Sequence, residues 1–197
     1  MRIPRWLVLL VSQLVSATAL FVGIGLVAIG VSGALAAGLG ATAGTAFVAG
    51  DAPDVHYSAA RCADFREYAP GARTCEAAAT EHHFTEVVAY RALAGVLGAA
   101  VLTGFVVVRR RRARRGDPPA PSVLPRAFVP TVGATVFGGA AAALAVQSVD
   151  LAVIGAGRGA GQFAVGAVVA APIAAWYLLL LVRDLVDGAR STSLQPA

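Results

Sequence analysis

Four stretches of this chain are too long and too apolar for the core of a small water-soluble domain. They cover about residues 6–31, 88–108, 127–148 and 163–182, and each approaches or exceeds the roughly 20 residues a helix needs to cross the hydrocarbon of a bilayer. Only 14% of the 197 residues are charged, against roughly a quarter in soluble domains. The chain therefore reads as an all-α integral membrane protein, a four-transmembrane-helix bundle that forms one membrane domain over residues 1–197. No separate soluble domain of ordinary size fits beside the spans.

Directly behind the second stretch stands RRRRARR, comprising Arg109, Arg110, Arg111, Arg112, Arg114 and Arg115. Lys and Arg collect on the cytoplasmic flanks of membrane helices, and this bias sets orientation. Residues 109–126 are thus expected to be a cytoplasmic linker, stiffened by Pro118, Pro119, Pro121 and Pro125. Both termini then lie in the cytoplasm of a plasma-membrane protein, with 183–197 as a loose tail and 51–84 as an external loop. The same argument excludes a complete span in the Gly/Ala/Thr-rich segment 32–50, because one there would put the arginine run outside. That segment is expected to be the outer end of the first helix followed by a flexible or partly dipped stretch. The basic start MRIPR before Trp6 suits an uncleaved signal anchor, since the apolar run is longer than the core of a cleavable signal peptide.

Charge follows this topology. The expected cytoplasmic parts hold eleven arginines against three aspartates, and the first external loop holds seven acids against four arginines. A sequence pI of about 10.0 therefore describes a gradient across a membrane, and no nucleic-acid partner is needed to explain it. The arginine run is expected to meet anionic lipid head groups, each charge contributing about 1 kcal/mol near the surface.

Residues 51–84 hold both cysteines and two of the three histidine neighbours His82 and His83, with His56 ahead of them. Cys62 and Cys75 stand thirteen positions apart without CxxC spacing, which points to a structural disulfide in an oxidising exterior. Thr74 is a helix N-cap candidate, followed from Cys75 to Ala94 by a run free of Gly and Pro. If that run is helical, His82 and Glu86 share a face, as do His83 and Glu86. With His56 or Asp54 they could hold a divalent metal, although no HExxH spacing occurs. The plainer reading is a solvated polar helix above the membrane.

Within or beside the spans few side chains carry chemistry. Arg91 lies at the mouth of the second stretch, where it can snorkel to the surface or pair with Glu86, Gln147 or Asp150. Ser12, Gln13 and Ser16 are the most polar group of the first span, suited to interhelical hydrogen bonds or to lining a path. Trp176 and Tyr177 suit an aromatic belt, and Pro172 a kink. Small residues recur four apart at Gly40 and Gly44, Ala94 and Gly98, Ala100 and Gly104, and Ala134 and Gly138, a spacing that lets helices approach closely in lipid. The stretch VIGAGRGAG imitates a dinucleotide fingerprint, but it lacks the strand before it and the acid about 20 residues on, so no nucleotide site is expected.

A disulfide-bearing large first external loop and a small second one resemble the general plan of claudin-type four-span proteins. The loop tryptophan motif of that family is absent from 51–86, so the resemblance is one of topology and carries over no residues. Arginine-only basicity with Ala/Gly richness resembles membrane proteins of actinobacteria. The expected function is that of a non-catalytic structural or accessory subunit, without catalytic residues or cofactors, packing with a membrane partner or with itself. A small transporter or channel component using Arg91 and the Ser12–Ser16 group is the alternative, and external metal binding at His56, His82, His83 and Glu86 a second.

Overall fold

The computed structural model describes residues 4–50, 58–115, 124–154 and 157–193, with 188–193 described by backbone alone. Among them there are six helices and no strand: α1 (Arg5–Ala43), α2 (Thr45–Ala49), α3 (Ala59–Tyr68), α4 (Cys75–Arg114), α5 (Phe128–Val153) and α6 (Ala160–Ser193). Of these α1, α4, α5 and α6 are long and apolar enough to cross a membrane. The protein is an all-α, multi-pass membrane protein.

With 39 and 40 residues, α1 and α4 each reach about 60 Å at 1.5 Å per residue, roughly twice the hydrocarbon thickness of a bilayer. Local chemistry sets the limits of α4. Thr74 Oγ1 accepts a hydrogen bond from the Ala77 amide at 3.2 Å, and Glu76 in the first turn complements the helix dipole. At the other end Arg111, Arg112 and Arg114 occupy the last turn, where cations are favourable. The arginine run is therefore the exposed helical end of α4. Pro130 lies buried in the first turn of α5, where a missing amide costs little.

The Gly/Ala/Thr-rich segment departs from the expected loose stretch. Helix α1 continues through it to Ala43, and after Gly44, at φ +95°, the chain turns into α2. Far from dipping freely, α2 is packed against α1, α4 and α6, with Val48 and Ala49 buried. Poor helix formers suffice here because neighbouring helices supply the stabilisation that propensity does not.

The four long helices pack in the order α4–α1–α6–α5, as two extensive pairs, α1 with α4 and α5 with α6, joined by a smaller α1–α6 seam. In the α1–α4 pair the backbones nearly touch. A methyl group placed on Gly95 would fall 2.9 Å from the Cα of Gly30, and one on Gly98 would lie 2.6 Å from the Val27 nitrogen and 2.8 Å from the Gly23 oxygen. Only glycine fits at such crossings, and close packing is the main source of helix association in lipid. In the α5–α6 pair a large side chain fills the space instead. Tyr177 is 4% exposed, lies over Gly133 and stacks on Phe137 with ring centroids 5.9 Å apart.

At one end of the molecule a cap forms where α3 lies on the start of α4. The Cys62–Cys75 disulfide joins them, with the two Cα atoms 5.5 Å apart, and Ser58 caps α3 by accepting from the Arg61 amide. The opposite end carries the arginine run.

Candidate functional site

The seam between the two helix pairs is closed at both ends and open in between. At the cap end α2 bridges the pairs: the Gly159 amide donates to the Ala46 carbonyl at 3.0 Å, and Phe47 packs on Gly161. Nearer the arginine end, Phe21 of α1 meets Tyr177 of α6 at 5.8 Å. Beyond that contact, Gln13 Oε1 accepts a hydrogen bond from the Leu124 amide at 3.1 Å, which ties the segment before α5 to α1. Between these closures lies a groove of about 460 Å³, within the roughly 300–1,000 Å³ of small-molecule sites. Helix α6 contributes Phe163, Val169 and Ala170, α1 contributes Gly25 and Ile29, and α5 contributes Ala140.

Helix α4 contributes one residue to this groove, Arg91. Its route is built by glycine. A methyl on Gly33 of α1 would sit 2.6 Å from Arg91 Cβ and 3.5 Å from its Cδ, so the bare Gly33 backbone lets the arginine stem cross α1 to reach α6. There Nη2 donates to Gln162 Oε1 at 3.2 Å. The other terminal nitrogen, Nη1, is fully buried and has no hydrogen-bond partner. Buried Ser32, whose hydroxyl donates to the Ile29 carbonyl at 2.7 Å, lines the same groove. Polar side chains thus gather at the cap-side end of the groove, while Gly25, Phe137 and Val169 line it further down. An unmatched buried guanidinium nitrogen is costly, so this end favours a negatively charged or strongly accepting group.

The other residues singled out from sequence fall into separate places. Arg91 turns inward to Gln162; among the described residues it makes no ion pair with Glu86 or Asp150. Ser16 Oγ donates to its own helix at the Ser12 carbonyl, 2.8 Å away, and both serines are exposed. Of that trio Gln13 alone holds another segment. His82 packs beneath α3 against Phe65 and Tyr68, with centroids 5.3 and 4.9 Å away, and its Nδ1 lies 3.9 Å from a Glu86 oxygen. Among the described residues no three His, Cys, Asp or Glu side chains gather as a metal cluster. His56, Asp51 and Asp54 lie outside the described residues. The glycine-rich stretch before α6 follows a helix, with Gly157 and Gly159 at positive φ, so the strand that a dinucleotide site requires is not there. Trp176 is 63% exposed whereas Tyr177 is buried, so only the tryptophan has the exposure of a belt residue.

Sequence reasoning missed Gln162 and Gly33, the two residues that give Arg91 its direction. Gln162 stands 71 positions from Arg91, and no local pattern links them. Gly33 had a signal, because Gly23, Gly30 and Gly33 recur at the seven- and three-residue steps of one helix face. No family model, no curated protein and no solved structure matches this chain.

Proposed function

We propose that this protein is a non-catalytic membrane subunit that acts by packing laterally against a second membrane protein or a second copy of itself. The observation that carries the reading is an unused small-residue face. Ala100 and Gly104 of α4 are both exposed, and a methyl placed on Gly104 would meet nothing within 4 Å. They lie away from the crossing at Gly95 and Gly98 that engages α1. Small residues four apart on an exposed span are the pattern by which helices associate in lipid.

On this reading the Arg109–Arg115 end faces the cytoplasm of a plasma membrane and holds anionic head groups, and the cap faces outward, where an oxidising exterior suits its disulfide. The test places a photo-crosslinking amino acid at position 104 in native membranes and, in parallel, at Val136, which is exposed on α5. A discrete crosslinked species at 104 and none at 136 is the expected result. A chain that yields no adduct at 104 and is monomeric in mild detergent contradicts the proposal.

A further inference from the structure

We infer that the groove between the helix pairs is a binding site for a single-chain anionic amphiphile, its oxyanion head on Arg91 and its tail along α6. Three observations converge. The groove lies at the depth of the membrane-spanning segments and is lined mainly by apolar residues and glycine. Over Gln162 to Ala170 it extends about 12 Å along α6 at the helical rise of 1.5 Å per residue. It ends towards the arginine side at Phe137, whose ring is fixed by stacking on Tyr177.

The cap-side end provides the charge. Gln162 engages Nη2 and leaves Nη1 buried and unmatched. A guanidinium offers its N–H groups as a planar fork, and carboxylate and phosphate oxygens fit it better than any neutral acceptor. The arginine is held in place from both sides, by the Gly33 backbone under its stem and by the Gln162 amide at its tip. A pre-positioned donor of this kind binds an anion with little ordering cost. Among the described residues no carboxylate pairs with it, so the counter-charge comes from the ligand. The apolar lining selects a tail, which distinguishes the ligand from free phosphate. This inference is independent of the lateral-packing proposal, because Ala100 and Gly104 do not line the groove.

Native mass spectrometry of the full chain from mild detergent tests it, with palmitate, hexadecyl phosphate, hexadecanol and inorganic phosphate as probes. Saturable retention of one molecule of palmitate or hexadecyl phosphate is expected, and the preferred one identifies the head group as carboxylate or phosphate. Hexadecanol should bind roughly tenfold or more weakly, because it cannot neutralise the guanidinium. Arg91→Gln should lose the preference for the charged probes over hexadecanol. Ala140→Phe, which puts a ring into the groove and leaves Arg91 and Gln162 intact, should weaken retention of both charged probes. The acid-against-alcohol comparison uses the unaltered chain and does not depend on the folding of any variant. Equal retention of hexadecanol and palmitate would mean nonspecific filling by apolar chains and would overturn the inference. Retention of inorganic phosphate in preference to both charged amphiphiles, or of none of the four probes, would overturn it as well.

Discussion

Helix α1 has two neighbours among the long helices, and it treats them differently. Against α4 it presents Gly23 and Gly30 to Gly98 and Gly95, and the backbones meet with no room for a methyl group. Against α6 the contact is smaller, made by Phe21 on Tyr177 near one end and through α2 at the other, with a groove between. The lesson is that glycine does two jobs on one helix. Where two glycines face each other the helices close on a dry seam. Where Gly33 faces a long arginine, the missing side chain becomes a passage that delivers a charged group into the next interface. A seam closed by small residues has strength and no cavity, whereas one held apart by aromatic rings at its end can keep a cavity within it.

The largest effect should come from breaking the aromatic closure. Tyr177→Ala removes the ring that joins Phe21 and Phe137, and truncating a buried aromatic costs about 3–5 kcal/mol. The midpoint of thermal unfolding in detergent should fall clearly below that of the wild type. If it does not move, the α1–α6 seam is held by something other than this ring cluster.

Removing the disulfide should come next, with a local consequence. Cys62→Ser with Cys75→Ser releases a loop whose closure stabilises by about 3 kcal/mol in the chain-entropy account. Hydrogen exchange should quicken in α3 and in the first turns of α4, while the α1–α4 glycine seam stays protected. Uniform loss of protection across all four spans would show that the cap is not a separable element.

The smallest effect on the monomer belongs to Gly104→Leu. With nothing near that position, the change should fall within about 0.5 kcal/mol, as exposed substitutions do, while lateral association is lost in crosslinking. A large drop in monomer stability would place this face inside the fold.

Much of the architecture was legible in the sequence because its cause is local. Four long helices, the cap disulfide and the Thr74 cap each rest on an apolar run, a cysteine pair or a single side chain read in place. What stayed hidden depends on which helix faces which. Of the four small-residue pairs visible at i, i+4, only Gly98 enters the α1–α4 crossing with Gly23, Gly30 and Gly95, while Gly44 and Gly104 meet nothing. A spacing of four identifies a face and not its neighbour. The ordered run from Ser32 through α2 was missed for a related reason, since Gly, Ala and Thr carry little propensity signal and are held by tertiary packing. The inward turn of Arg91 requires Gly33 and Gln162 to be known together, and no local rule connects them. Tyr177 and Trp176 are adjacent in sequence and point to a buried ring cluster and to the surface respectively, a distinction made only by the angle between them on the helix.

Thermal unfolding of Gly95→Leu beside Ala140→Phe compares the two seams of α1 most directly. The leucine forces side-chain bulk into a backbone-to-backbone contact, which should destabilise by about 1–3 kcal/mol or more. The phenylalanine enters an existing groove and should leave the midpoint unchanged or raise it. Equal losses in both variants, or a tolerated leucine at position 95, would contradict the account of one closed seam and one open one.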